Sequence, residues 1–264
     1  VLTRLLENPE QVFQNFIYFS YKGCFEKGKA APPVLTRGGI EILISRTGYT
    51  GELGVEIFVD KNEAVTLWNE ILECGEDYGL LPCGLAARDS LRAGAGLPLS
   101  HQDIGNWCFG NTPWDFVLPT DDSGGFTKSF IGDQSVLRDS SNMFTYGFAG
   151  FDPRKIPADG ENHVEDAVGR RIGTILTCTT DVAIGRVENR IVSIASNQKT
   201  ASGEGFSRKG LSCGLGRVEG VLGHGDLVYL RSGKRKIKVE IREDIRPART
   251  ARLSLKKLME GGRI

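Results

Sequence analysis

The sequence predicts an α+β chain, with a ferredoxin-like α+β region in front and a small antiparallel all-β domain behind. Two observations carry that expectation. Residues 40–45 and 53–59 are runs of alternating apolar residues that flank a glycine-rich turn and lead into a helical stripe. From about residue 144 the pattern changes to short strand-like runs separated by turn residues. The chain has 264 residues, enough to bury a sizeable core and to divide into two or three compact units. The change of pattern sets the expected domains at 1–140 and 141–264.

In order along the chain, residues 8–14 read as a short helix, with Asn8 as N-cap and Pro9 at the first helical position. Residues 22–39, with four glycines and Pro32-Pro33, read as a loop. Ile40, Ile42 and Ile44 share one face of a first strand, and Leu53, Val55, Ile57 and Val59 share one face of a second. Asp60 and Glu63 have the spacing of a capping box. The helix they open carries Ala64, Leu67, Trp68, Ile71 and Leu72 as a stripe read as core, with Gly75 or Gly79 ending it. A second helix is expected from about 84 to 94, which completes the ferredoxin-like unit.

Residues 97–128 are punctuated by proline, glycine and asparagine and read as irregular. Trp107, Phe109, Trp114 and Phe116 within them are expected to pin the loop to the core or to line a pocket, pinning being the preferred account. Phe130-Ile131-Gly132 reads as a turn before a short helix. Strands are expected at 145–151, 172–177, 190–195, 211–218, 226–231 and 234–242. Ser232-Gly233 forms the hairpin between the last two. There Ile237, Val239 and Ile241 alternate with Lys236, Lys238, Glu240 and Arg242, as in an outer strand of a barrel or sandwich. The cluster Lys234-Arg235-Lys236 is read as a solvated hairpin tip rather than a phosphate site. The cationic stretch Ile245–Arg252 and the helical run after it, with Leu255, Leu258 and Met259, receive no role beyond contacting an acidic surface or covering a groove.

Composition excludes several function classes. Lys+Arg and Asp+Glu are each 33, so no bulk positive charge drives nucleic-acid binding. No apolar run has the length to cross a bilayer. The first residues, Val1-Leu2-Thr3-Arg4-Leu5-Leu6, lack the regions of a signal peptide, so a cytoplasmic location is expected. The six cysteines are scattered without a C-x-x-C pair, and there are three histidines. Free, buried thiols are therefore favoured over a disulfide scaffold or a zinc site.

The turn Arg46-Thr47-Gly48-Tyr49-Thr50-Gly51-Glu52, running into Leu53-Gly54-Val55-Glu56-Ile57, holds the candidate chemistry. Three glycines permit positive φ or a close backbone approach. Glu56 falls on the opposite face of its strand from Val55 and Ile57, so it points to a groove or to solvent. The residues by themselves also allow a plain glycine-rich hairpin with a solvated glutamate. Together with Leu81-Pro82-Cys83-Gly84-Leu85-Ala86-Ala87-Arg88-Asp89-Ser90-Leu91-Arg92-Ala93-Gly94-Ala95-Gly96, this turn resembles the T-protein (aminomethyltransferase) family of the glycine cleavage system. It is equally similar to that family's wider group of folate-dependent one-carbon transferases. The likeness runs from near residue 1 to about 180 and more loosely beyond.

The resemblance implies a C-terminal β-barrel, tetrahydrofolate as co-substrate, and transfer of a one-carbon unit to it, with a lipoyl carrier protein as the partner that presents the unit. It implies neither nucleic acid nor membrane as partner. It implies a folate site at Tyr49, Glu56 and Arg88. Glu56 would pair with the pterin edge, Tyr49 would pack or hydrogen-bond against the cofactor, and Arg88 would brace the pocket. Arg92, one turn after Arg88 on the same helix face, would share that role. An Arg88 paired with Asp89 on the helix surface is the alternative that spacing alone favours.

No catalytic residue is assigned. The family's key aspartate lies in an N-terminal segment to which nothing here corresponds; Asp103 and Asp115 lie outside that motif. Since the chain starts without methionine, it is expected to be truncated or a shortened relative. The family's tryptophan near the folate aligns with Thr120, and its arginine before the barrel aligns near Thr145. Thr177 to Gly185 replaces the motif T-S-G-x-x-S-P-x-L, and an insertion of roughly 25 to 30 residues follows, in which Val187 to Ala195 is expected to add a hairpin to the barrel. These departures bear on the donor. A demethylase of a small methylated compound and a non-catalytic folate-binding protein of the iron–sulfur-maintenance type are the rival readings, with a purely structural fragment as a third. The signature of the maintenance type is echoed only by Lys22-Gly23-Cys24-Phe25, which stands before rather than after the glycine turn.

Overall fold

The computed structural model describes residues 1–24, 32–137, 141–194 and 209–255. These form two compact units, one of residues 1–88 with the described residues from 249 onward, the other of residues 89–248. The change of unit falls at Arg88/Asp89 rather than near residue 140, and the tail rejoins the first unit.

In the first unit α1 (Leu2–Leu5) and α2 (Pro9–Phe13) precede four strands, and α2 starts with Asn8 as N-cap and Pro9 at its first position, as expected. The strands are β1 (Tyr21–Lys22), β2 (Val34–Leu35), β3 (Glu41–Ser45) and β4 (Glu56–Val59). All pair antiparallel to β3: β4 from Ile42 to Ser45, β1 at Ile44 and Ser45, β2 at Glu41 and Ile42. Two short strands thus occupy part of the stretch read as a loop, while residues 25–31 lie outside the described residues. Alternation works as read: Ile42 and Ile44 are buried, Ile57 and Val59 pack on the same core, and Glu56 and Phe58 are exposed.

The second run forms a strand only from Glu56, because its first residues bond elsewhere. Thr250 Oγ1 accepts the Leu53 N–H at 2.8 Å, and Arg46 donates to the Gly54 carbonyl at 3.0 Å. The helix α3 spans Ala64–Gly75. Asp60 makes no capping box; its carboxylate accepts the Asn62 N–H at 2.9 Å in an Asx turn, and the helix begins one turn later. Leu67 is buried, with Ile71 and Cys74 behind it on the same line. Trp68 is not core: it lies one residue off that line and is 53% exposed. The helix ends at Gly75, against which Leu80 packs, and Gly79 closes the following turn at φ 66°.

Then comes α4 (Leu85–Gly94). In the second unit an irregular stretch follows to α5 (Asp133–Leu137), itself preceded by Gly132 at φ 93°. Trp114 is buried and its indole N–H donates to the Gly96 carbonyl at 2.8 Å; Trp107 and Phe109 pack beside it. Those three pin the loop, whereas Phe116 is exposed.

The barrel strands are β5 (Met143–Gly150), β6 (His163–Glu165), β7 (Arg171–Asp181), β10 (Leu211–Glu219), β11 (Leu227–Ser232) and β12 (Arg235–Ile241). They close in the order β10-β5-β12-β11-β6-β7, antiparallel at each described pairing. The two-residue loop Gly233-Lys234 joins β11 to β12. Ile237, Val239 and Ile241 enter the core with Phe148, Val164 and Leu230. Each such side chain contributes about 1.5–3 kcal/mol of burial. Lys234, Arg235 and Lys236 are exposed at the hairpin, with Lys236 3.3 Å from Glu165.

Two strands, β8 (Ile184–Val187) and β9 (Arg190–Ser193), form a separate two-stranded sheet rather than extending the barrel. Their connecting residues Glu188 and Asn189 both have positive φ, the conformation a tight hairpin needs. Residues 195–208 of the expected insertion lie outside the described residues, as does the helical run expected at the tail from residue 256 onward. No helix among the described residues is long and apolar enough to cross a membrane.

None of the six cysteines is joined in a disulfide. They are not uniformly buried: Cys83 is exposed, while Cys213 is enclosed. Burial pushes the Cys178 thiol up to about 11, and burial raises Cys213 also. The thiolate is the reactive form, so at pH 8 iodoacetamide is expected to modify Cys83 first and to reach Cys178 and Cys213 only on unfolding. Peptide mass spectrometry over a time course reads the order, and early labelling of Cys178 contradicts it.

Candidate functional site

The glycine turn between β3 and β4 is built around a buried cation. Arg46 is 2% exposed, and its guanidinium donates to the carbonyls of Gly54 at 3.0 Å, Ala251 at 3.1 Å and Leu253 at 3.2 Å. Burial pulls its pKa below the usual arginine value. Gly51 takes φ 74°, which L side chains rarely adopt, and its carbonyl accepts the Ala251 N–H at 3.2 Å. Thr250 Oγ1 donates to Glu52 at 2.6 Å. The loop is therefore fixed from inside by an arginine and along its edge by the tail segment.

On that frame Tyr49 is half-buried, and the Arg88 guanidinium at the start of α4 lies over its ring, 4.7 Å from the centroid. Such a stack contributes about 0.5–1 kcal/mol at an exposed site. Arg88 is exposed, so its guanidinium stands at the surface beside an aromatic face. Glu56 opens β4, opposite Ser45 in the ladder. Thr47 Oγ1 donates to its carboxylate and is itself hydrogen-bonded to Ser45 Oγ. Because Ser45 is buried, this chain fixes the orientation of an otherwise exposed carboxylate. The structure thus joins Tyr49 to Arg88 and gives Glu56 a positioned carboxylate on the sheet's open face.

Arg92 does something else. It is fully buried in the second unit, and every one of its N–H groups has a partner inside the protein. Nε donates to Asp89 at 2.7 Å, one terminal nitrogen donates to Asp103 and to the Leu97 carbonyl, and the other donates to Thr177 at 2.9 Å. That second nitrogen also lies 2.7 Å from Asp89. The expectation that Arg92 shares a ligand with Arg88 is corrected: no donor remains for one. Asp103, an acid without a role in sequence terms, is the buried counter-charge; it also accepts the Leu99 N–H at 2.9 Å and the Thr177 hydroxyl at 2.7 Å. Also in the second unit, Asp181 accepts from the buried Arg246 at 2.9 Å.

Thr120, where the resemblance expects a tryptophan, is exposed and bridges Phe126. Thr145, near the expected arginine, is buried on β5 and lines a cavity of about 430 Å³. Asp115, His224, Arg242 and Glu243 also line it, so its charges alone select no ligand. Sequence reasoning missed Arg46, Glu52 and Thr250. Arg46 heads the turn motif, but its partners lie about two hundred positions away, at 251 and 253, and no local pattern links them.

Residues 33–109 match the GCVT N-terminal domain family. An aminomethyltransferase of Caldanaerobacter subterraneus subsp. tengcongensis is 41% identical over 145 residues, 53% of this chain and 36% of that protein. One of a Geobacillus species is 56% identical over 66 residues, 25% of this chain and 18% of that protein. The crystal structure of glycine cleavage system aminomethyltransferase T from Bartonella henselae shares the fold. Its TM-score is 0.57 at 23% identity, covering 79% of this chain and 50% of that one. Fold and turn together define a protein with a GCVT domain and an antiparallel barrel. Residues 33–109 carry the likeness to the GCVT N-terminal domain family, and about half of the chain is similar to proteins named aminomethyltransferases. The matched stretch spans about a third of the length of the first of these relatives.

Proposed function

We propose that this chain binds tetrahydrofolate on the open face of the first unit and presents it for one-carbon transfer. The observation that carries the reading is the Tyr49–Arg88 stack on a turn whose family match covers both residues. The donor set fits the ligand. A fixed, exposed carboxylate can accept from a pterin amino group and ring N–H, an aromatic face can pack on a flat heterocycle, and a surface guanidinium suits an anionic tail. In this reading Glu56 orients the pterin, Tyr49 packs against the folate, and Arg88 supplies positive charge. Arg92 braces the interior and touches no ligand.

The group transferred would be an aminomethyl group, as the relatives' name describes, and in this reading a lipoyl carrier protein presents it. A turnover assay with an aminomethyl-loaded carrier tests that part, and small methylated compounds in its place test a demethylase.

Glu56→Gln tests the site. Loss of a charge-assisted hydrogen bond costs about 1.5–3 kcal/mol, so affinity is expected to fall roughly 10- to 100-fold. The melting temperature should stay within a degree or two, because the side chain is exposed. Titration calorimetry with tetrahydrofolate on both proteins reads it. Absence of heat with the unaltered chain at millimolar ligand rejects the folate reading.

A further inference from the structure

The stretch Thr250–Leu253 lies along the glycine turn in a paired arrangement that the sheet does not account for. Thr250 is its centre. Its hydroxyl accepts the Leu53 N–H at 2.8 Å and donates to Glu52 at 2.6 Å, while its own N–H reaches the same carboxylate at 3.3 Å. One residue on, the Ala251 N–H donates to Gly51, whose φ of 74° is strained for any residue with a side chain. The Ala251 and Leu253 carbonyls then take Arg46. Arg252 adds a looser contact over the Tyr18 ring, 6.0 Å from its centroid.

Arg46 makes this arrangement more than a covering. A buried guanidinium needs its hydrogen bonds satisfied, and two of the three carbonyls it uses belong to the tail. Without them the cation faces a single carbonyl, that of Gly54, and is driven toward water. The turn would follow it, because Arg46 is the turn's own first residue. Glycines at 48, 51 and 54 leave the loop little intrinsic stiffness to resist.

We infer that Thr250–Leu253 is a strap that sets the shape of the glycine turn, with Arg46 and Thr250 as positioning residues for Tyr49 and Glu56. The link to ligand rests on the folate reading above; the link to turn shape does not.

Thr250→Val removes the hydroxyl while keeping the side chain's shape, and Thr250→Ser restores it. Hydrogen exchange followed by mass spectrometry reads the turn directly. Thr250→Val is expected to speed exchange in peptides covering 48–54 about tenfold or more, the scale of one lost hydrogen bond of about 1.4 kcal/mol. Barrel peptides covering 211–218 should be unchanged, and Thr250→Ser should exchange as the unaltered chain does. Unchanged exchange at 48–54 in Thr250→Val overturns the strap. So does a rise spread equally over the barrel, which would mean general destabilisation.

Titration with tetrahydrofolate separates the two readings. If the unaltered chain binds, Thr250→Val should bind about five- to tenfold more weakly, and equal affinity overturns the positioning role. If the unaltered chain gives no heat while exchange at 48–54 still rises, the folate reading fails and the strap stands.

Discussion

Replacing Asp103 with alanine is expected to destabilise the protein by about 3 kcal/mol or more, although the residue lies in an irregular stretch and in no recognised motif. The carboxylate is fully buried and faces Arg92, which is equally buried. Removing one partner of such a pair leaves an uncompensated charge in the interior, a loss of about 3–5 kcal/mol. Asp89 still touches Arg92, which puts the expectation at the lower end. The Thr177 hydroxyl and the Leu99 N–H lose an acceptor as well. Asp89→Ala, at a position 42% exposed, should cost under about 1 kcal/mol. Replacing the pair together by Arg92→Met with Asp103→Leu should recover most of the loss. Urea denaturation of the four proteins decides it. A loss below about 1 kcal/mol for Asp103→Ala would show that Arg92 finds water.

Gly94→Ala should be comparably damaging, against the ordinary preference of helices for alanine. In an exposed helix interior that exchange gains about 1 kcal/mol. At the end of α4, however, a Cβ on residue 94 would sit 1.9 Å from the Asp181 carboxylate and 2.8 Å from its carbon. Asp181 has little freedom to retreat. It is fully buried, accepts the Ala183 N–H at 2.8 Å, and pairs with an Arg246 that is 1% exposed. The methyl group must therefore displace the helix end or part the ion pair, each at a cost of about 1–3 kcal/mol or more. Gly84→Ala is the contrast, since its Cβ would meet nothing within 4 Å. It should stay within about 0.5 kcal/mol. A Gly94→Ala protein as stable as the original would mean that the α4–β7 packing is looser than drawn.

The parts legible in the sequence are those in which local pattern and burial coincide. Ile42 and Ile44 alternate and are buried; Ile237, Val239 and Ile241 alternate and line the barrel core. Pro9 and Gly75 mark helix ends because their backbone chemistry acts locally. Where partners are distant, reading from residues fails. Trp68 continues the apolar stripe of α3 but lies outside the line that meets the sheet. Asp60 and Glu63 satisfy a capping pattern, yet Asp60 closes on Asn62 first. At three residues, β6 is too short for alternation to show. Within the candidate site, Tyr49, Glu56 and Arg88 came from the family motif, while the bonds that fix them did not. Arg92 matched the spacing of a ligand residue and is instead consumed by Asp89, Asp103 and Thr177.

Leu53 and Thr250, which share a hydrogen bond, stand 197 positions apart, so the first compact unit is completed by residues synthesised after the whole of the second. On the ribosome the β3–β4 ribbon emerges before the barrel and waits, its loop unsecured, while the intervening barrel is made. Long-range closure of this kind is slow, and an emerging chain held open in that way is exposed to wrong partners. Nascent-chain experiments should therefore see the barrel protected from protease before the ribbon's loop is, reversing the order in which the two are encoded.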